Sequence, residues 1–316
     1  MFKNSRIFVA GHTGLLGTAL LAKLKEKGAA KIITRKHSEL DLTDRGHVER
    51  FFREEKPEIV FLAAGKTGGI AASSAYPATF FHENAAMQIN VIEAAQKYGV
   101  RHFVFYGSSC MYPRNSPQPI KEEYLMTGPL DEFSEAYAGA KISGVLACRA
   151  YNSQYRTNRF IAVVPNTLYG PNDHFSIENS HVFSALLRRF HEAKVLDKQE
   201  VALWGSGNPR REFIFSEDVA DASIFLVENA GKLDNTHYNA GTGVDYSIRE
   251  LAGIIARKIG YGGEIRWDAT RPDGVSRKLL DSSRIEQLGW KPSVTIEEGL
   301  ERTYKWYLEN VEGAGR

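Results

Sequence analysis

Few features of this 316-residue chain are extreme, and each shortage excludes something. There are two cysteines, Cys110 and Cys148. Two are too few for a disulfide framework, and they fit a reducing compartment. No apolar run approaches the roughly 18 residues that a membrane span requires. A strand-like run, Arg6-Ile-Phe-Val-Ala10, begins almost at once, so no signal peptide is expected. Charge is nearly balanced: 40 Lys and Arg against 38 Asp and Glu give a formal +2. That argues against an extended nucleic-acid or membrane surface but permits a local site for an anionic ligand. Internal repeats, low-complexity segments and charge runs are missing too. With 43% hydrophobic and 25% charged residues, the chain reads as an ordinary globular protein, expected in the cytoplasm.

What is present is a regular alternation. The apolar run 7–10 precedes Gly11-His12-Thr13-Gly14-Leu15-Leu16-Gly17, after which Leu16, Leu20 and Leu24 recur every four residues until Gly28. That spacing predicts a helix stopped by glycine. Strand, glycine turn and helix make a dinucleotide-binding beginning. The glycines allow a tight turn and close backbone approach to a pyrophosphate, whose charge sits at the helix N-terminus. The spacing is G-x-x-G-x-x-G rather than G-x-G-x-x-G. A second strand, 30–34, ends in Arg35-Lys36-His37. An NAD site has an acidic residue here, whereas basic residues accommodate the 2′-phosphate of NADP. Arg35 and Lys36 therefore read as an NADP-type contact or, more plainly, as a solvated turn. A helix (44–55), a strand (58–64), a long helix (77–98) and a strand (102–106) follow. Such alternation implies an α/β fold with a doubly wound parallel sheet and right-handed crossovers.

Two stretches carry side chains suited to chemistry. Tyr106-Gly107-Ser108-Ser109-Cys110-Met111-Tyr112-Pro113 follows a buried strand, and ligands of an open parallel sheet bind beyond the carboxyl ends of its strands. If the strand continues, alternate side chains share a face. Ser108 and Cys110 then look into the cleft and Ser109 looks away. A hydroxyl beside a thiol suits acid/base work; small residues at a strand end also let a loop pack closely. Tyr137-Ala-Gly-Ala-Lys141 opens a helix that runs to about residue 155, and residues four apart lie on one helical face. The Lys141 ammonium is expected to lower the Tyr137 pKa and make it a general acid near neutral pH. Alone, Tyr-x-x-x-Lys more often marks a half-buried tyrosine beside a surface lysine. With the glycine turn and Ser108 upstream, the combination is specific. Further on, Ser247-Ile-Arg-Glu250 is a capping-box pattern that starts a helix.

Together these motifs resemble the extended short-chain dehydrogenase/reductases, essentially end to end. More narrowly, the chain is similar to the branch of that family that epimerises and reduces GDP-4-keto-6-deoxy-D-mannose. The narrower likeness rests on Lys66-Thr-Gly-Gly-Ile70, the cysteine after paired serines, Leu168-Tyr-Gly-Pro171 and Asn179-Ser-His-Val182. It also rests on Leu186-Leu-Arg-Arg-Phe-His-Glu-Ala193, Trp204-Gly-Ser-Gly-Asn-Pro-Arg-Arg-Glu-Phe213, Arg271-Pro-Asp-Gly274 and Arg277-Lys-Leu-Leu-Asp281.

The resemblance implies NADPH-dependent 3,5-epimerisation and 4-reduction of that sugar to GDP-L-fucose. It implies a Rossmann NADP-binding domain over 1–171 plus about 214–244. A smaller C-terminal α/β substrate domain would occupy about 172–213 plus 245–316. A homodimer would use the helices near 77–98 and 137–155. Cys110 and His181 would supply a base and an acid on opposite faces of the sugar. Ser108 and Tyr137 would hold the C4 oxygen, and Lys141 the cofactor ribose. Contacts to NADP(H) would fall at Gly11, His12, Thr13, Gly14, Leu15, Leu16, Gly17, Arg35, Lys36, Tyr106, Gly107, Ser108, Lys141, Pro165, Asn166, Thr167, Leu168 and His181. Contacts to the GDP-sugar would fall at Arg189, Trp204, Arg211 and Asp273. No metal, nucleic acid or membrane partner is implied.

Two positions depart from the family's pattern. Thr13 stands where an arginine is usual, and Asn166-Thr167 exchange the usual order. Rival activities fit less well. Dehydratases carry an Asp-Glu pair where Ser109-Cys110-Met111 stands, and a 4-epimerase retains NAD, against Arg35 and Lys36. A non-catalytic NADP-binding regulatory protein often lacks the tyrosine or the lysine. The nearest alternative is the same chemistry on a related GDP-4-keto sugar of the colitose or deoxyheptose type.

Overall fold

The computed structural model describes residues 1–68, 70–176, 180–271 and 273–312. Gly69, Asn179 and Pro272, each part of a motif named above, lie outside the described residues. The chain opens with β1 (Arg6–Ala10), α1 (Leu15–Glu26), β2 (Lys31–Ile33), α2 (Arg45–Glu55), β3 (Ile59–Leu62), α3 (Ile70–Ala75), α4 (Pro77–Lys97) and β4 (His102–Tyr106). It continues through α5 (Glu135–Tyr155), β5 (Phe160–Pro165), β6 (Thr167–Tyr169), α6 (Val182–Val195), β7 (Glu200–Trp204), β8 (Arg210–Phe215), α7 (Ser216–Glu228) and β9 (His237–Ala240). Then come β10 (Asp245–Ser247), α8 (Ile248–Ile259), β11 (Glu264–Asp268), β12 (Arg277–Lys278), α9 (Ser283–Gln287) and α10 (Ile296–Tyr307).

Six strands form one parallel sheet in the order β2-β1-β3-β4-β5-β9. Its strands read as unbroken apolar runs because helices cover both faces. Alternate residues feed two cores. Phe8, Val60, Phe103 and Ala162 meet Val48, Phe52, Val91, Ile92 and Val145 from α2, α4 and α5. Ile7, Val9, Phe61, Val104 and Val163 meet Leu20, Leu24, Val219 and Leu226 from α1 and α7 on the other face. The result is a doubly wound Rossmann-type α/β sheet. α5 lies close against β4, since a Cβ on Gly144 would fall 2.3 Å from Cζ of Phe105. That closeness brings the first turns of α5 to the end of β4.

A third core gathers Tyr169, Phe183, Leu187, Phe190, Phe213, Leu251, Ile255 and Leu300 around β6, β8 and helices α6, α8 and α10. Here β8 is the hub, flanked by β10 and β12, with β6 pairing it in parallel. A separate parallel pair joins β7 and β11. α8 starts at the expected capping box, Ser247 accepting from the Glu250 N–H and Glu250 from the Ser247 N–H. Thr295 and Glu298 build a second box at α10. The two-residue strand β12 sets Lys278 opposite Arg211 of β8.

Candidate active site

The order of the sheet places β2 on one side of β1 and β3 on the other. Such reversals leave a crevice beyond the strand ends. The glycine turn sits there. Gly11 has φ +77°, and a Cβ on it would lie 2.6 Å from the Ala64 nitrogen beyond β3. A Cβ on Gly17 would lie 2.0 Å from the Gly11 carbonyl oxygen, so α1 rests directly on the turn. Gly14 differs, because its Cβ would have nothing closer than 3.5 Å. It is the N-cap of α1 and provides no side-chain cap, which leaves the helix's first N–H groups for a ligand. His12 Nδ1 is buried with no partner among the described residues, a further polar atom for a bound group to satisfy. This cradle fits the pyrophosphate of NADP(H). At the expected ribose end, Arg35 pairs with Glu55 Oε1 at 2.5 Å, donates to the Thr34 carbonyl at 2.8 Å and lies over the Phe51 ring. Lys36 is exposed.

Beyond Tyr106 the strand does not continue. Ser109–Met111 turn as a short 3-10 helix, and Ser108 is its N-cap, its Oγ accepting the Cys110 N–H at 3.3 Å. Strand alternation therefore does not apply at this point. The cap itself folds Cys110 back beside Ser108. Ser109 is buried the other way and donates to Asn166 Oδ1 at 3.1 Å.

From α5, the Tyr137 hydroxyl comes beside Ser108, whose polar side chain favours the phenolate. Lys141 is buried, donates to the Tyr106 carbonyl at 2.9 Å and stands 5.8 Å from the centre of the Tyr137 ring. The expected lowering of the Tyr137 pKa is not found. Burial, reinforced by the negative charge Cys110 can carry, raises Tyr137 above its ordinary value, outweighing Ser108. The ammonium is aimed at a carbonyl, so desolvation of the phenolate wins. Burial also brings Lys141 down to about 8. A phenol kept protonated remains a proton donor at neutral pH.

Cys110 shows the opposite balance. Burial alone would raise its thiol, but the Lys278 ammonium and hydrogen bonds with Ser108 and Ser134 more than offset it and hold the pKa below the ordinary value. Lys278 Nζ lies 3.7 Å from the sulfur. This lysine stood inside a motif noted in the sequence but carried no assigned role, because nothing local places a two-residue strand against the β4 loop. Its register with Arg211 is the signal that places it. Arg211 is half-buried, which depresses its guanidinium, and it lies in the field of Cys110, Asp131 and Asp273. Asp273 accepts from the Ser206 N–H at 2.9 Å and hydroxyl at 2.6 Å. Trp204 is 67% exposed, with the Arg271 guanidinium 5.0 Å from its ring centre. Arg189 reaches the Ala202 carbonyl of β7 at 3.4 Å.

Ser108, Cys110, Tyr137 and Lys141 thus converge, with Arg211 and Lys278 beside them. Among the described residues, no contact joins His181 to them. It is exposed as the N-cap of α6. Nearby, burial holds the Asp173 carboxyl above its ordinary value against hydrogen bonds from Ser184 and the His174 N–H. Asn166 is engaged internally: it donates to Glu212 Oε2 at 2.6 Å and to the Lys278 carbonyl at 3.2 Å. Pro165 ends β5 on one side of it, and Thr167 and Leu168 begin β6 on the other. Tyr106 is buried, its hydroxyl donating to Ser223, and the Gly107 N–H donates to the Val163 carbonyl.

A parallel doubly wound sheet with this turn defines a dinucleotide-binding α/β protein, and the chain belongs to the NAD dependent epimerase/dehydratase family, which matches residues 7–241. It is 50% identical to a putative GDP-L-fucose synthase 2 of Arabidopsis thaliana, over 98% of this chain and 93% of that one. It is 46% identical to a GDP-L-fucose synthase of Escherichia coli strain K12, over 98% of each. A GDP-mannoheptose C4 reductase from Campylobacter jejuni, solved with NADP bound, is 41% identical with a TM-score of 0.90, covering 98% of this chain and 99% of that one.

Proposed function

We propose that this protein catalyses the NADPH-dependent 3,5-epimerisation and 4-reduction of GDP-4-keto-6-deoxy-D-mannose to GDP-L-fucose. The observation that carries the reading is the convergence of Ser108, Cys110 and Tyr137 at the end of β4. Near-half identity over almost the whole chain to GDP-L-fucose synthases supports it. Bound NADPH supplies the reducing equivalent for C4. Protons on C3 and C5 of a 4-keto sugar are acidic because the carbonyl stores the charge left behind. Inversion needs a base on one face and an acid on the other, and we assign these roles to Cys110, which stands in the cluster, and His181, which stands at the exposed N-cap of α6 with no contact to the cluster among the described residues. Ser108 and Tyr137 donate hydrogen bonds to the C4 oxygen, which stabilises the enolate as oxyanion donors do. Tyr137 then protonates that oxygen during reduction. Lys141 holds the ribose at the nicotinamide end of the cofactor, and Arg35 and Lys36 meet the 2′-phosphate of the adenosine ribose at the other end. Arg189 and Arg211 pair with the diphosphate, Trp204 offers an aromatic face, and Asp273 completes the nucleotide site.

Residues 1–171 with about 214–244 form the cofactor domain in this reading, and about 172–213 with 245–316 the substrate domain. The exposed apolar residues Phe81 and Ile89 of α4 and Leu146 and Tyr155 of α5 suit a homodimer contact. No helix among the described residues is long and apolar enough to cross a membrane, and we assign the protein to the cytoplasm. The likeness to a GDP-mannoheptose C4 reductase favours a second reading, the same chemistry on a related GDP-4-keto sugar. Incubating each candidate sugar with NADPH in D2O, with product NMR, separates the two. The first reading expects GDP-L-fucose with deuterium at C3 and C5, and Cys110→Ser should lose that deuterium while keeping some reduction. Turnover confined to a heptose or dideoxy analogue would sink the substrate; deuterium uptake at the wild-type rate in Cys110→Ser would sink the base.

A further inference from the structure

The contact between Lys278 and Cys110 takes no part in the mechanism above. Its two residues are 168 positions apart in the chain, and Nζ lies 3.7 Å from Sγ. The lysine's backbone is tightly held. It pairs with Arg211 on β8, and its carbonyl accepts from Asn166 Nδ2 at 3.2 Å. The next two N–H groups, of Leu279 and Leu280, donate to Gln118 Oε1 at 2.8 Å and Glu212 Oε2 at 3.0 Å. Glu212 is 0% exposed, and its carboxylate also accepts from Asn166 Nδ2 and from the N–H groups of Thr242 and Gly243. Asn166 in turn accepts from Ser109, the neighbour of Cys110. One buried network therefore fixes both the strand that carries the ammonium and the turn that carries the sulfur. A buried carboxylate with this many partners is rigid, because losing any of them would leave a desolvated charge unpaired.

The polar and charged groups that act on or around the sulfur are Lys278 from β12, Arg211 from β8, Tyr137 and the N-cap Ser134 of α5, and Ser108 from the end of β4. Asp131 and Asp273 act on Arg211. An ammonium at contact distance favours the anionic form of a thiol.

We propose that Lys278 is a positioning residue for Cys110, its ammonium holding the sulfur as a thiolate while the Glu212–Asn166 network fixes the pair. The proposal rests on the epimerase reading of the site. The thiolate takes a proton from a carbon beside the C4 carbonyl and becomes a thiol. The C–H electron pair moves into the enolate, whose charge rests on the C4 oxygen. Lys278 itself transfers nothing.

The test is the pH profile of Cys110 alkylation by iodoacetamide in the full chain with NADP and no sugar, read by peptide mass spectrometry. The wild-type midpoint should fall below the roughly 8.5 of a free thiol. Lys278→Met should raise that midpoint and slow alkylation at neutral pH about tenfold, the loss of thiolate that follows when a thiol titrates one pH step higher. Lys278→Arg should restore most of the rate. A profile unchanged in Lys278→Met overturns the assignment. Should that variant fail to bind NADP, the wild-type profile decides, a midpoint at or above the free-thiol value overturning it. Solvent-deuterium exchange into the sugar separates the two levels. Absent exchange in the wild type overturns the epimerase reading and the catalytic half of this proposal together. An unchanged alkylation profile with normal exchange overturns the role of Lys278 alone.

Discussion

The carboxyl ends of β1 and β4 flank β3 in one sheet and are built by opposite means. The β1 end works through what is missing. At Gly11 and Gly17 a Cβ would strike backbone, and at Gly14 it would stand in the open mouth of the turn. All of its parts lie within seven consecutive residues, 11–17. The β4 end works through what is added: a serine and a cysteine from its own turn, a tyrosine from α5, an arginine from β8 and a lysine from β12. A site made of backbone is local in sequence. A site made of side chains has to be assembled by the fold.

The sharpest way to break this contrast is at the glycines. Gly17→Ala puts a methyl 2.0 Å from a carbonyl oxygen that has nowhere to move, at a cost of about 3 kcal/mol or more. The melting temperature should fall by several degrees and NADP binding should be lost. Gly14→Ala meets only a 3.5 Å contact, so the fold should lose about 1 kcal/mol or less at this N-cap. Its NADP affinity should nevertheless drop about tenfold or more, because the methyl blocks close backbone approach to the pyrophosphate. Thermal melts and fluorescence titration with NADP measure both. If Gly14→Ala binds NADP as the wild type does, the turn is not the pyrophosphate cradle.

At the other end the expected pattern is reversed, with chemistry lost and binding kept. Tyr137→Phe removes the donor to the C4 oxygen, and 4-reduction should fall about 10²–10⁴-fold, the usual worth of a positioned acid. NADP should still bind, since the glycine cradle is untouched. Because burial raises Tyr137, the wild-type reduction rate should show no decline from its ionisation across the neutral range. NADPH consumption against pH checks both points. A neutral-range decline that vanished in Tyr137→Phe would restore the lysine-lowered phenol expected from the sequence.

The two ends also differ in how much the sequence discloses. The strands at 6–10 and 102–106 are legible because each is an apolar run bounded by turn residues. The capping box at Ser247 and the Tyr137–Lys141 spacing are legible because helix geometry is local. Past Tyr106 the sequence misleads. Ser108-Ser109-Cys110 has no apolar period, and one cap hydrogen bond turns it into a 3-10 helix. The direction in which Tyr137 moves is hidden because spacing shows the ammonium but not the depth of burial or the carbonyl that Lys141 faces. Lys278 is hidden because its place depends on Glu212, a carboxylate at the core of β8 that no hydrophobic pattern anticipates.

The smallest expected effect concerns an anchor of the β4 end that titrates. Tyr112, two residues past Cys110, donates to Asn239 Oδ1 at 2.5 Å and lies 3.0 Å from His237 Nε2. With its own proton given to Asn239, the hydroxyl accepts from Nε2–H, which leaves Nδ1 bare. That atom is buried with no partner among the described residues. Burial first, then the charges of Arg149 and Arg284, hold His237 down at about 4, with Asp234 opposing them weakly. An unfolded histidine titrates near 6.5. Between those two values the unfolded chain binds a proton that the folded chain refuses. The contribution is therefore complete above pH 6.5 and is lost as pH falls toward 4, about 2 kcal/mol by pH 5. His237→Gln keeps an N–H donor for Tyr112 but cannot titrate. It should be less stable than the wild type at pH 7 and lose less on going to pH 5. Urea unfolding at both pH values measures the difference. Equal losses in the two proteins would show that the protonation of His237 contributes nothing to the acid sensitivity of the fold.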